Sequence, residues 1–322
     1  MRKALLIGID KYDKAPLYCC VKDVNDLNNV ISYNYDSSLN FFVKQITDEE
    51  ATRKNVRSKI KQLFEGEGEV ALFYFSGHGI DDSNDGLIVT IDYEEDDYGI
   101  RMTEILEYAN KSRYKYKIII LDCCHSGYFG SPGIIGDKSY LGDGVVIMTA
   151  SKRDQVSFEV NGHGVFTNLL IDSLNGGAAD ILGRVTPGSI YSYIDQALGA
   201  WQQRPLFKAN ISSFVSLKLC CPSIDLNSLK MCLKLFSNDN EIYALNPSYE
   251  KTNYPNSPHD HYEPYSVEEN VKIFTNLQKL NRIGLVVPVG SEDMYFAAMK
   301  SKGCALTSLG KHYWKMANEH IL

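Results

Sequence analysis

The sequence lacks any apolar run approaching the roughly 18 residues of a membrane span, so no membrane anchor of helical type is expected. It also lacks positive excess. Its 33 Lys and Arg face 40 Asp and Glu, a formal net charge of -7, which removes the attraction that nucleic acid or an anionic membrane normally exploits. Eight cysteines show no framework spacing: Cys19-Cys20, Cys123-Cys124 and Cys220-Cys221 are adjacent pairs, with Cys232 and Cys304 alone. Reduced thiols and a cytoplasmic location are the expectation. The opening Met1-Arg2-Lys3 has the charge of an export signal, but the apolar run Ala4 to Ile9 is too short for one and stops at Asp10-Lys11. It reads as a buried strand. No phosphate-binding glycine loop, no serine nucleophile elbow, no internal repeat and no low-complexity tract is found. A zinc site on Cys123-Cys124-His125 fails because three consecutive residues cannot wrap a tetrahedral ion and no Cys-x-x-Cys pair lies elsewhere.

What is present is an ordinary globular composition, 44% hydrophobic and 23% charged over 322 residues, enough for a large domain and a small one. Short apolar runs at Lys3–Ile9, Phe41–Ile46, Val70–Phe75, Lys117–Leu121 and Val145–Thr149 read as strands. Between and after them Lys22–Tyr33, Ala51–Phe64, Thr103–Ser112, Gly164–Leu174 and Pro187–Ala200 read as helices, and Ser213–Leu219 as a sixth strand. Nearly continuous apolar strands alternating with helices predict an α/β fold with a mostly parallel sheet sandwiched by helices. This first domain is expected over residues 1–224. Residues 225–266, rich in Tyr, Asn, Pro and Ser, read as a linker or insert loop. Over 267–322 a helix to Asn281, strands Gly284–Val289 and Met294–Ala298, and a helix from Thr307 predict a small winged-helix-like α+β module. Leu277, Leu280, Ile283, Leu285 and Val287 are its expected core. Tyr313 and Trp314 are candidates to dock it on the first domain or a partner.

Two motifs interrupt the first domain's pattern. Phe75-Ser76-Gly77-His78-Gly79 ends the third strand, and Asp122-Cys123-Cys124-His125-Ser126-Gly127 ends the fourth. Ligands of open parallel sheets bind beyond the carboxyl ends of the strands, so both motifs reach one rim. A thiol is only partly ionised at neutral pH, and an imidazole can take its proton and later protonate a leaving amine. The glycines around His78 let a substrate approach the backbone closely, with N–H groups available to an oxyanion.

The co-occurrence of Phe-Ser-Gly-His-Gly with Asp-Cys-Cys-His-Ser-Gly resembles the dyad region of the caspase-like clan of cysteine peptidases (family C14), nearest to metacaspases and bacterial caspase-like proteins. The likeness runs from Leu5-Leu6-Ile7-Gly8-Ile9-Asp10-Lys11-Tyr12 through Gly164-Val165-Phe166-Thr167 to Gln203-Arg204-Pro205. Where the caspase signature reads Gln-Ala-Cys, this chain has Asp122-Cys123-Cys124. The resemblance implies a caspase-like six-stranded sheet, Cys124 as nucleophile, His78 as general base and acid, and the N–H groups of Gly79 and Cys124 as oxyanion donors. It further implies an acidic pocket built from Cys20, Asp23, Ser76 and Asp122, which favours Arg or Lys before the scissile bond. Asp23 as a cap of the first helix is the competing reading. His125 belongs to the turn, and Asp26 to the surface.

No cofactor is expected. Asp81, Asp82, Asp85, Asp92, Glu94, Glu95, Asp96 and Asp97 are of calcium's ligand type, and calcium is the one metal the chain could take. Such a run usually marks a solvated loop, and the further acids of calcium-dependent relatives are replaced here by Gly99-Ile100-Arg101-Met102. The connection from Tyr128 to Gly144 is short for a processed intersubunit linker, which suits an active single chain; Lys138, Lys152 and Arg153 lie in loops open to self-cleavage, with ordinary surface charge the favoured reading. From Asp225 onward 10 Lys and Arg face 11 Asp and Glu, too neutral for a DNA-reading module. The expected function is therefore a regulated cysteine endopeptidase acting on proteins or peptides after Arg or Lys, an effector of bacterial stress, cell-suicide or antiviral defence. Its last module would answer an activating partner protein or a nucleotide-type signal, with nucleic acid and membrane not expected as partners. The alternative is a catalytically silent caspase-like scaffold whose C-terminal module binds a partner or nucleic acid.

Overall fold

The computed structural model describes residues 1–82, 85–94, 97–123, 140–150, 159–160, 163–198, 205–258, 260–319 and 321–322. The chain forms two compact units, Met1–Cys221 and Pro222–Leu322. In the first, chain order runs β1 (Arg2–Gly8), α1 (Cys20–Ile31), β2 (Phe42–Thr47), α2 (Arg53–Phe64), β3 (Glu67–Ser76), β4 (Gly79–Asp82), β5 (Asp85–Glu94), β6 (Asp97–Arg101) and α3 (Met102–Lys111). It continues with β7 (Arg113–Asp122), β8 (Val145–Thr149), β9 (Glu159–Val160), β10 (His163–Gly164), α4 (Val165–Asp172), β11 (Arg184–Val185), α5 (Pro187–Ala197), β12 (Leu206–Asn210) and β13 (Lys218–Leu219).

Six strands make the central sheet in the order β12-β8-β7-β3-β1-β2. All pairings are parallel except that of β12 with β8. The sixth strand is thus Leu206–Asn210 and not Ser213–Leu219, whose last two residues instead pair with Arg184–Val185. An antiparallel edge strand carrying Lys208 and Asn210 lacks the continuous apolar signal of its neighbours.

Strand alternation builds two cores. On one face Leu5 and Ile7, Phe73 and Phe75, and Ile119 and Leu121 pack against Val56, Ile60 and Leu63 of α2 and Ile105 of α3. On the other Ala4 and Leu6, Leu72 and Tyr74, and Ile118 and Ile120 meet Val24 and Leu27 of α1, Phe166 and Leu170 of α4 and Ile190 of α5. The same period of two sends Ser76 and Asp122 toward α1 and α4, and Cys123 into the core under α2 and α3.

The acidic stretch after His78 is not an open loop. Residues of β4, β5 and β6 form a three-stranded antiparallel sheet. Asp85 accepts bonds from the backbone N–H and hydroxyl of Thr103 in the first turn of α3. Asp92 accepts the backbone N–H of Arg53, the first residue of α2, at 2.8 Å, and the Arg53 guanidinium pairs with Asp97. These acids close helix ends and a hairpin, which composition alone presents as solvated charge.

The second unit holds α6 (Leu226–Leu233), β14 (Ile242–Ala244), α7 (Glu268–Arg282), β15 (Val286–Val289), α8 (Met294–Met299), β16 (Gly303–Leu306) and α9 (Ser308–Asn318). The stretch read as a linker over 225–266 is built into it: α6 packs on α7 and α9, and β14 pairs with β16. Asn253, fully buried, organises the tyrosine-rich part by donating to the carbonyls of Pro247, Tyr262 and Pro264 and accepting the Tyr262 N–H. The expected second wing strand, Met294–Ala298, is the helix α8, because Asp293 caps it by accepting the Phe296 N–H at 2.8 Å. Its place beside β15 is taken by β16. Leu277, Leu280 and Leu285 lie in the core as expected, but Ile283 is only half-buried, and Val286 is buried while Val287, expected inside, is exposed. The Trp314 indole N–H is used inside this unit, donated to the Phe236 carbonyl. No described helix is long and apolar enough to cross a membrane.

Candidate active site

Chain order reverses between β1 and β3: β2 lies on one side of β1, and the chain then resumes on the other. Such a switch point, beyond the strand ends, is where open α/β sheets form the crevice that binds ligands. Gly8, Ser76 and Asp122 are in lateral register across β1, β3 and β7, so everything immediately after them meets at this crevice.

Two helix N-termini point there, each closed by a carboxylate from a strand end. Asp10, just past β1, accepts the N–H of Cys20 at 2.8 Å and of Val21 at 3.2 Å, the first residues of α1. Gly8 makes this possible, since a Cβ there would lie 2.3 Å from the Cys20 carbonyl oxygen. Asp122, the last residue of β7, accepts both the backbone N–H and the hydroxyl of Thr167 in the first turn of α4, the hydroxyl at 2.6 Å. Thr167 is in turn bonded to the Tyr74 hydroxyl at 2.6 Å. Burial raises the Asp122 carboxyl above the ordinary aspartate value, and the Thr167 bonds oppose that rise.

Asp23 therefore is not the cap of α1; Asp10 is. Asp23 sits one turn in, on the buried stripe with Cys20, Val24, Leu27 and Ile31, and is 1% exposed. Its carboxylate accepts the Ser76 hydroxyl at 3.2 Å. The Cys20 thiol bonds to Ser76 and is pushed far up by burial, with Asp10, Asp122 and Asp23 adding to the rise. It is a neutral wall, not a nucleophile. Cys20, Asp23, Ser76 and Asp122, four residues scattered over a hundred positions, are thus brought together.

His78 stands next to this cluster with its backbone held on both sides. Its N–H donates to the Tyr12 hydroxyl at 3.1 Å, and its carbonyl accepts the Val89 N–H at 2.9 Å. The imidazole Nε2 lies 2.7 Å from the Ala15 carbonyl oxygen. A carbonyl only accepts, so Nε2 carries the proton and Nδ1 is the basic nitrogen of the neutral ring. Gly79 follows as the first residue of β4. Cys123 is buried among apolar side chains. Cys124 and His125 lie outside the described residues, as do Lys138, Lys152, Arg153, Glu95, Asp96, Gln203 and Arg204. Among the described residues no group of three His, Cys, Asp or Glu could hold a metal ion.

Asp10, Tyr12, Ala15, Tyr74 and Thr167 were not singled out as site residues by sequence. Asp10 had a signal, a carboxylate directly after an apolar strand, and Thr167 lies in a quoted motif. The Tyr12 hydroxyl and the Ala15 carbonyl had none, because a loop's carbonyl direction is not written in its side chains.

A parallel sheet covered on both faces, with an imidazole, carboxylates and neighbouring cysteines gathered at its switch point, defines an α/β domain built to bind and act at the strand ends. The family model of the caspase domain, peptidase family C14, matches residues 1–213, and the chain belongs to that family, one of cysteine peptidases. No curated protein matches the chain. Among solved structures, a protein of Geobacter sulfurreducens is similar at TM-score 0.52 and 18% identity, covering 68% of this chain and 97% of that one. Caspase-1 of Spodoptera frugiperda is similar at TM-score 0.48 and 16% identity, covering 68% and 90%.

Proposed function

We propose that the protein is a cysteine endopeptidase that cleaves after Arg or Lys. The observation that carries the specificity is the in-register pair Ser76 and Asp122, with Asp23 bonded to Ser76, beside His78. Two buried carboxylates on one slot favour a cationic side chain and repel an anionic one. Cys20 and Ser76 complete the slot's walls.

Cys124 is the nucleophile in this reading. The placement of Cys123 in the apolar core supports the choice of the second cysteine. His78 Nδ1 takes the thiol proton as sulfur bonds to the scissile carbonyl carbon, then delivers it to the departing amine nitrogen as the C–N bond breaks. The Gly79 and Cys124 N–H groups bond the oxyanion of each tetrahedral intermediate. Water, losing a proton to the same Nδ1, adds to the thioester, and the thiol leaves with that proton. The Ala15 carbonyl fixes the tautomer throughout. No cofactor enters this chemistry.

The second unit serves regulation in this proposal, gating an effector of a bacterial stress, cell-suicide or antiviral pathway in response to a partner protein or nucleotide-type signal. Its near-neutral charge supports such a role over DNA binding. The test is a panel of fluorogenic peptides ending in Arg, Lys or Asp, given to wild type and Cys124→Ala. Turnover after Arg and Lys only, lost in Cys124→Ala, is expected. Absence of turnover under every activating condition would instead support the silent scaffold.

A further inference from the structure

The motif Gly164-Val165-Phe166-Thr167 has no part in the chemistry above, yet it lies against the candidate pocket. A Cβ on Gly164 would lie 2.7 Å from Asp122 Oδ2 and 3.6 Å from Oδ1, so only glycine lets the start of α4 abut that carboxylate. Thr167 gives Asp122 two donors, and its hydroxyl proton is committed to Oδ2. The Tyr74 hydroxyl therefore donates to Thr167 Oγ1, forming a directed chain from Tyr74 through Thr167 to Asp122. All three side chains are buried.

We propose that Gly164 and Thr167 are specificity-determining positioning residues, which aim Asp122 and keep it anionic so that the slot accepts a guanidinium or ammonium group. The inference rests on the peptidase reading above and deepens it. The chain commits Oδ2 to the Thr167 hydroxyl and so fixes how the carboxylate is turned toward the substrate cation. It also answers an electrostatic problem. Around Asp122 stand Cys20 and Asp23 from α1 and Tyr74 and Ser76 from β3, with Asp10, from the turn after β1, acting on Cys20 as well. Cys20 and Tyr74 are both pushed up by burial and contribute no positive charge, while Asp23 is a like charge on the same two side chains. Burial among such neighbours favours the uncharged acid, and a neutral Asp122 binds a cation poorly. Donors from Thr167, at the positive end of α4, oppose that effect and hold the rise down.

The experiment compares wild type, Thr167→Val and Thr167→Ser on an Arg-ending fluorogenic peptide across pH, alongside the carbon-13 NMR titration of Asp122, whose resonance is identified by Asp122→Asn. Loss of one hydrogen bond to a charged group predicts a fall in kcat/KM of about tenfold or more for Thr167→Val, carried by KM. The acid limb of kcat/KM and the Asp122 titration both move to higher pH, and Thr167→Ser restores them. Iodoacetamide alkylation of Cys124 keeps its rate, which shows that the nucleophile is intact. If Thr167→Val melts early, Tyr74→Phe supplies the same test with a smaller shift. An unmoved Asp122 titration in a folded variant overturns the inference. Failure of the wild type to cleave after Arg sinks the peptidase reading alone, because the titration still decides whether Thr167 holds Asp122 anionic.

Discussion

Tyr12 and His78 are joined twice: the tyrosine hydroxyl receives the His78 backbone N–H at 3.1 Å, and the two rings lie 4.6 Å apart, tilted at 53°. The hydroxyl passes its own proton to the Val89 carbonyl at 3.0 Å, so one buried phenol ties the loop after β1, the end of β3 and the middle of β5 together. Burial holds its titration far above the ordinary phenol range, which keeps it a donor at any working pH.

Tyr12→Phe keeps the ring and removes this tie. It leaves the His78 N–H and the Val89 carbonyl short of a partner, a loss of about 1–3 kcal/mol in urea unfolding. Turnover falls roughly tenfold or more, because a misplaced base forfeits part of the roughly 10²–10⁴ that acid–base catalysis contributes. Retained kcat with lowered stability would reduce Tyr12 to a packing residue.

Asp23→Asn keeps an oxygen for the Ser76 hydroxyl and removes the charge. On Arg- and Lys-ending peptides kcat/KM falls roughly ten- to a hundredfold, the worth of one charge-assisted bond, with the melting temperature little changed. Equal losses of stability and affinity would show that Asp23 only holds the helix.

Much of this arrangement is legible in the sequence. Five strands of the sheet announce themselves as apolar runs, and the period of two along Tyr74-Phe75-Ser76 and Leu121-Asp122-Cys123 assigns each side chain its face. What was hidden depends on partners distant in sequence. Asp10 and Asp23 are both acids near the start of α1, and only the positions of the Cys20 and Val21 N–H groups decide which one caps it. The hairpin β4–β6 was obscured because its acids bond to the first residues of α2 and α3. In the second unit, Asp293 turned an apolar run with strand length into α8, a case where a cap outweighs composition.

The cap assignment has its own test. Asp10→Ala leaves the Cys20 and Val21 N–H groups of α1 without their acceptor and costs about 1 kcal/mol in urea unfolding, the usual worth of an N-cap. Asp10→Asn, which retains an acceptor, costs less. Indistinguishable losses would mean that the carboxylate's charge, not its geometry, closes the helix.

Chelation separates the metal readings. Asp85, Asp92 and Asp97 already serve Thr103 and Arg53, so a calcium ion would have to displace those bonds. Excess EDTA is expected to leave cleavage after Arg unchanged. Activity that vanishes with chelator and returns with added calcium would place a cation on this hairpin after all.

Acid titration of stability gives the last check, on Asp122 itself. Its folded carboxyl titrates above the ordinary aspartate value because burial outweighs the Thr167 bonds. Between those two values the native state therefore holds the proton that the unfolded chain has released, and stability falls as pH rises through that window. Below the window the penalty is absent; above it the penalty is fully present. Asp122→Asn removes the titration while keeping an oxygen for the Thr167 donors, so its stability relative to wild type should climb across the same window in a pH series of urea unfolding. A constant difference across that range would show that Asp122 ionises in the folded protein as easily as in the unfolded chain, and that no charge is held in the slot against its burial.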